Sequence, residues 1–132
     1  MATSRAHFVV RFDPRAWAED VGDRYAERSG ARRVAERARR EFERHGVAAG
    51  ALQACDHSAR DGTRLGNCVK AYLPVSERPS EERPFGMVFA PVLRERELQL
   101  DFLAFGVRHQ PADSRAPSVY EIAHARLHGR WP

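Results

Sequence analysis

The chain has one lysine among its 22 lysine and arginine residues, and that lysine, Lys70, lies in a stretch with the alternation of a β-strand. Successive side chains of a strand point to opposite faces, so Lys70 and Tyr72 are predicted to lie side by side on one face. The other face would carry the apolar side chains of Val69, Ala71 and Leu73. Because arginine fills every other basic position, the lone lysine indicates that a compact, titratable amine is required there. The alternative is an ordinary solvated strand lysine.

The two cysteines, Cys55 and Cys68, are too few for a disulfide framework and suit a reducing compartment. Together with Asp56 and His57 they suggest a metal site, but their spacing matches no established ligand pattern and a fourth ligand is missing. We therefore expect neither a metal nor another cofactor.

Length and composition predict one folded domain over residues 1–132, because 42% of the residues are hydrophobic and the chain can bury its own core. The apolar runs are too short to cross a membrane, and the first residues lack the hydrophobic segment of a signal peptide. These features predict a cytoplasmic protein with no membrane partner. The net charge of +4 favours an anionic partner, either a nucleic acid or an acidic protein.

Local signals predict the order of the secondary structure. Asp13 followed by Pro14 is typical of a helix start, and Ser118 with Glu121 forms a capping box that opens a last helix. The predicted elements are a strand at 7–12, helices at 13–25 and 31–45, strands at 67–75, 85–92 and 98–105, and a helix at 118–127. This order predicts an α+β domain: a small twisted antiparallel sheet of about four strands, two N-terminal helices on one face, and a short C-terminal helix. The other face of the sheet is expected to be free.

Short motifs in this order resemble the RelE/ParE toxin superfamily. Residues 68–73 resemble its lysine-bearing second strand, and residues 103–109 resemble its last strand and Gly-x-Arg turn. Residues 118–123 are similar to the start of its C-terminal helix, and residues 85–89 stand where it has a central strand. The resemblance implies a RelE-like fold.

The resemblance also implies a function. RelE-type members enter the ribosomal A site and cut mRNA by attack of the ribose 2′-hydroxyl on the adjacent phosphate. They are toxins of type II toxin–antitoxin pairs, which implies an acidic antitoxin as a partner. Motif position assigns Lys70, Arg108 and Tyr120 to the catalytic site. Two positions depart from the pattern: Tyr72 replaces a second lysine, and Gly86 replaces a phosphate-binding arginine.

Such cleavage needs a proton acceptor at the 2′-oxygen, cations at the nonbridging phosphate oxygens and a proton donor to the leaving oxygen. Arg108 could hold the phosphate bidentately. Lys70 would be a base if neighbouring arginines lower its pKa, and otherwise a second cation. His109 titrates nearest neutrality, while Tyr72 and Tyr120 offer surfaces for stacking of bases.

Each of these residues also has a structural interpretation. Arg108 could be a surface or capping residue, His109 a loop histidine, and Tyr120 a ring packed on the sheet. Further contacts to nucleic acid are predicted for Tyr72, Arg83, Arg32, Arg33, Arg40 and Arg64. For the arginines of the second helix, the alternative is a solvated face with intrahelical ion pairs.

Two other functions stay open. One is a ParE-like inhibitor of DNA gyrase that cuts nothing, which the glycine at position 86 favours. The other is a RelE-fold protein without toxicity that binds a regulatory partner.

Overall fold

The computed structural model describes residues 7–55, 68–74, 83–110 and 113–128, and the fold is α+β. Its strands are β1 (His7–Phe8), β2 (Val10–Arg11), β3 (Val47–Ala48), β4 (Gln53–Ala54), β5 (Val69–Leu73), β6 (Phe85–Arg94) and β7 (Glu97–Val107). Its α-helices are α1 (Pro14–Trp17), α2 (Gly30–His45) and α3 (Val119–Leu127). Helix α1 continues as a π-helix over Ala18–Asp23, and a 3₁₀ turn spans Ala49–Ala51.

Helices α1 and α3 begin where the sequence predicts, and α2 begins one residue before its predicted start. The carboxylate of Asp13 accepts a hydrogen bond from the N–H of Arg15, and the Ser29 hydroxyl caps α2 in the same way. Both hydrogen bonds of the predicted capping box are present between Ser118 and Glu121 at α3. Helix α2 ends at Gly46, whose φ of +71° is readily adopted only by glycine.

The sheet has five strands in the order β2-β7-β6-β5-β4. Strand β2 runs parallel to β7, whereas the other pairs are antiparallel, so the prediction of an antiparallel sheet was wrong. A separate antiparallel pair joins β1 to β3. The sequence does not reveal whether two strands run parallel or antiparallel, because the alternation of apolar residues is the same in either direction. In addition, a two-residue strand is too short to show an alternation.

A bulge in β7 changes which side chains face which side of the sheet. Val88 pairs with Ala104, but Phe89 pairs with Phe102, so Leu103 has no partner in β6. An extra residue of this kind moves every later side chain to the opposite face. Phe102 and Phe105 therefore both lie in the same apolar cluster, although they are an odd number of residues apart.

The two faces of the sheet carry different layers. The first face packs against α1, its π-helical extension and α2, through Ala16, Val21, Val34, Ala35, Phe89 and Phe105 among others. The second face carries α3, whose apolar side chains pack with Val88 and Ala104: Val119, Ile122 and Ala123. The prediction that this face would be free is therefore wrong over the part that α3 covers. Of the helices that the structure describes, none has the length and apolar character to cross a bilayer.

A buried ion pair joins the two layers at the edge of β7, beyond the end of β2. Asp20 is fully buried and accepts a hydrogen bond from the N–H of Phe105 over 2.8 Å. The guanidinium of Arg126 donates to both carboxylate oxygens of Asp20, over 2.6 and 2.7 Å, and to the carbonyl of Leu103. Burial alone would lower the pKa of Arg126, but Asp20 and Glu19 raise it above its ordinary value. The pair thus completes the hydrogen bonds of β7 beyond the residues that pair with β2.

The β6–β7 hairpin turns through Glu95 and Arg96. Both residues have positive φ angles, of 51° and 68°. Two successive positive φ values define a type I′ turn, whose twist suits a two-residue hairpin. Glutamate and arginine occupy this region at an energetic cost that asparagine and glycine would avoid.

Candidate nucleic-acid interface

A row of three residues forms the floor of the site on the second face. Tyr72 of β5 pairs with Gly86 of β6, and Gly86 pairs with Gly106 of β7. The two glycines leave a depression between the Tyr72 ring and α3. The side chain of Arg108 lies in it, since a Cβ on Gly86 would be 3.3 Å from the Arg108 Cγ. The residue that departs from the RelE pattern therefore makes room for another arginine.

The guanidinium of Arg108 is held in a defined orientation. Its central carbon lies 3.6 Å from the centre of the Tyr72 ring, which is a close cation–π contact. One terminal nitrogen donates to the carbonyl of Arg83 over 2.9 Å, and Nε lies 3.5 Å from the Tyr120 hydroxyl. The backbone N–H of Arg108 donates to the carbonyl of Pro84. No carboxylate within the described ranges pairs with Arg108, so its charge is not neutralised there.

Lys70 lies between two phenol rings on the same face. Its ammonium nitrogen is 5.3 Å from the centre of the Tyr72 ring and 5.0 Å from that of Tyr120. Burial alone would lower the pKa of Lys70, but a hydrogen bond with Tyr72 and the electrostatic effects of Tyr120, Tyr72 and Cys55 raise it above its ordinary value. Lys70 is therefore protonated at neutral pH. Of the two roles predicted from the sequence, the raised pKa agrees with the second, that of a cation.

Tyr120 and His109 complete the group. Tyr120 lies in the first turn of α3 and is 7% exposed, so its ring packs on the sheet. Its hydroxyl contacts Arg108, and its ring contacts the ammonium group of Lys70. This burial argues against the predicted stacking of a base on Tyr120. His109 is exposed, and its ring centre lies 6.2 Å from that of Tyr120. Partly buried Tyr72 is thus the better placed of the two tyrosines to contact a base.

Three of the other predicted contacts, Arg32, Arg33 and Arg40, lie away from this group. Arg83 contributes its carbonyl and is itself exposed. Arg32, Arg33 and Arg40 belong to α2, which packs on the opposite face of the sheet. Arg64 lies outside the described residues. The structure therefore separates the arginines of α2 from Lys70 and Arg108.

Ion pairs along α2 agree with the alternative of a solvated helix face. Arg39 pairs with Glu43 over 3.2 Å, and Arg32 lies 3.9 Å from Glu36. Both pairs have the four-residue spacing that brings side chains together on one side of a helix. Exposed pairs of this type contribute little to the free energy of unfolding.

Cys55 and Cys68, which the sequence suggested together only as possible metal ligands, lie near Lys70. Cys55 and Cys68 are opposite each other across β4 and β5 and are buried together against α3. Only the strand register brings them together, so the sequence gives no local signal for this contact. Within the described ranges, no cluster of three or more histidine, cysteine or acidic residues could hold a metal ion. Asp56 and His57 lie outside those ranges.

Comparison with protein-family models, with curated proteins and with solved structures finds no match for this chain. The function of the site is therefore argued from its own residues.

Proposed function

We propose that the protein has a RelE-like fold and is a ribosome-dependent mRNA endonuclease, the toxin of a type II toxin–antitoxin pair. One observation carries the proposal: Lys70 and Arg108 come from distant parts of the chain, yet both contact Tyr72 and Tyr120 on one face of the sheet. Two cations beside an aromatic ring are the groups that bind a phosphate and an unstacked base of single-stranded RNA.

The phosphate would lie beside the two cations. The Nη2 nitrogen of Arg108 donates to no group within the described ranges, so it can donate to a nonbridging oxygen. Lys70 supplies a point charge, while the planar guanidinium fixes the orientation of the phosphate. Both groups would stabilise the negative charge that grows on these oxygens in the transition state.

Proton transfer in the proposed reaction follows from the protonation of Lys70. A protonated amine cannot accept the 2′-hydroxyl proton, so His109 takes it while the 2′-oxygen bonds to phosphorus. The bond between phosphorus and the 5′-oxygen then breaks. Lys70 donates a proton to the leaving oxygen, which gives a 2′,3′-cyclic phosphate and a 5′-hydroxyl.

A second candidate is a protein that binds and does not cut, such as a ParE-like inhibitor of DNA gyrase or a regulatory module of the same fold. The raised pKa of Lys70 favours this candidate, because it removes one of the two predicted bases. The contacts of Arg108 with Tyr72 and Arg83 favour it as well, since they keep the cation in place without substrate.

The deciding experiment adds purified protein to a translating extract and maps message ends by primer extension. We expect new 5′ ends with the wild type and none with Arg108→Lys or Lys70→Met. Arg33→Ala is the matched control, because Arg33 is exposed on the opposite face. Uncut message would reject the nuclease, and inhibition of gyrase supercoiling by the same sample would establish the second candidate.

The antitoxin is tested separately. A basic toxin is expected to bind an acidic protein, and the association should weaken as salt screens the charges. Small reading frames next to the gene are co-expressed with this chain and examined for co-purification and rescued growth. A host unharmed by the chain alone, with no co-purifying neighbour, would argue against the toxin.

A further inference from the structure

Cys55 and Cys68 face each other across the antiparallel strands β4 and β5. The pairing continues one residue beyond the register pair of Ala54 and Val69, and the N–H of Cys55 donates to the carbonyl of Cys68 over 3.0 Å. Directly opposite residues of antiparallel strands project to the same face of a sheet. Both cysteines lie in the apolar cluster beneath α3, where they are 4% and 3% exposed.

The spacing of such a pair suits a disulfide. Opposite residues joined by a backbone hydrogen bond have Cα atoms about 5.5 Å apart. A disulfide needs a Cα separation of roughly 4.4–6.8 Å. The Cβ atoms of opposite residues are about 4.5–5.5 Å apart, whereas a disulfide needs about 3.5–4.5 Å. Closure therefore requires rotation of the two side chains and a small approach of the chain where β4 ends and β5 begins. Both thiols are reduced in the structure.

We propose that Cys55 and Cys68 form a redox modification site, at which hydrogen peroxide converts the two thiols into a disulfide within one chain. The reaction is balanced by one peroxide. The thiolate of Cys55 attacks a peroxide oxygen, the oxygen–oxygen bond breaks, and a sulfenic acid forms with release of water. The Cys68 sulfur then gives its proton to the sulfenic hydroxyl as it attacks the sulfenic sulfur, so the sulfur–oxygen bond breaks, the disulfide forms and a second water leaves. This proposal does not depend on the proposed function.

The surroundings of the two thiols set the order of attack. Lys70 lies on the same face, and a thiolate at Cys55 interacts favourably with its ammonium group. Burial raises the pKa of the Cys68 thiol, which keeps that sulfur protonated. Cys55 is therefore the attacking residue and Cys68 the resolving residue. Because both are buried, their oxidation requires an oxidant as small as hydrogen peroxide, since glutathione disulfide is too bulky to enter the cluster.

The test uses the position of trypsin cleavage sites. Reduced full-length protein is treated with hydrogen peroxide, remaining thiols are alkylated, and the protein is digested without reductant. Cleavage at Arg60 and Arg64 separates peptide 45–60, which holds Cys55, from peptide 65–70, which holds Cys68. We expect a linked pair of these peptides whose mass is lower than their sum by two hydrogen atoms, and its loss after reduction with dithiothreitol.

Other outcomes would overturn the proposal. These are separate alkylated peptides, sulfinic or sulfonic acids on the individual cysteines, or a covalent dimer on a non-reducing gel. The order of attack is tested with dimedone, which traps sulfenic acids. Cys68→Ser should be labelled faster than Cys55→Ser, and equal labelling would reject the assigned roles. Circular dichroism of both variants checks that they fold, and the linked wild-type peptide does not depend on either variant.

Discussion

Arg108 contacts Tyr72 across the whole width of an intervening strand. The guanidinium carbon lies 3.6 Å from the centre of the Tyr72 ring, although β5 and β7 do not pair with each other. The contact is possible because Gly86, the residue of β6 that lies between them, has no side chain. This arrangement leads to the first prediction.

Gly86→Ala should displace Arg108 without unfolding the domain. The new Cβ would lie 3.3 Å from the Arg108 Cγ, so the arginine must move by a few tenths of an ångström. We expect a loss of about tenfold in RNA cleavage or binding, because catalysis is sensitive to small displacements. Gly106→Ala is the matched control, since its Cβ would make ordinary contacts at 3.6 Å with Val119 and Ile122. Equal effects of both variants would contradict the role assigned to Gly86.

Arg108→Ala should reduce cleavage much more than stability. Loss of one preorganised charge donor costs about 10²–10³ in rate, whereas the hydrogen bonds of Arg108 to Arg83 and Tyr120 lie near the surface. The measurement compares the cleavage rate with the melting temperature. A parallel loss of both would make Arg108 a structural residue.

The charge of Lys70 should persist throughout the neutral pH range. Its pKa is raised above the ordinary value near 10.5, so the charged form stabilises the folded state fully below that value. The contribution is lost as pH rises through the higher folded-state pKa. We expect the difference in free energy of unfolding between wild type and Lys70→Met to be constant between pH 6 and pH 9. Above pH 9 this difference should become smaller. Urea titrations across this series provide the measurement, and a step near neutrality would indicate a lowered pKa.

The buried pair of Asp20 and Arg126 should matter far more to stability than an exposed pair. Removal of one partner leaves a buried charge without compensation, which costs about 3–5 kcal/mol. Arg126→Ala is expected to lower the free energy of unfolding by that amount. Asp20→Ala should cost less, because Arg126 keeps its ion pair with Glu19 over 3.0 Å, and the double variant should cost less than the sum. Arg94→Ala is the control, because Arg94 pairs with partly exposed Asp101 and should cost at most about 1 kcal/mol.

The hairpin turn offers a stabilising change. Glu95→Asn with Arg96→Gly places the preferred residues of a type I′ turn at the two positive φ angles. Relief of the backbone strain should raise the free energy of unfolding by about 1 kcal/mol. Urea unfolding measures the change, with Glu95→Gln as a control that leaves the strain in place. No gain over that control would mean that the wild-type turn is not strained.

The sequence predicted the features that are local. The helix starts at Asp13 and Ser118 are set by residues within one turn, and the alternation around Lys70 by a single strand. The convergence of Lys70 with Arg108 was also predicted, from motif order. The features that were missed depend on distant partners, namely the parallel pairing of β2, the position of α3 on the second face, and the contact of Asp20 with Arg126.

Gly86 shows most clearly why part of the site could not be predicted. When only the sequence is compared, a glycine at the position where the RelE pattern has an arginine indicates a lost function. The space that it leaves can be assessed only when the neighbouring strands are in register. Here the missing side chain admits the stem of Arg108, which enters from a different strand.

Leu103, which has no partner in β6, reverses the alternation of side chains between the two faces of β7. Without it, Gly106 would turn toward α2, and Phe105 would leave the core for the floor of the site. The core residues and the site residues of β7 therefore face their proper sides of the sheet only because the strand carries one additional residue. Changes of length in this strand should consequently be tolerated in steps of two residues, whereas a single deletion would exchange the inside of the protein with its binding face.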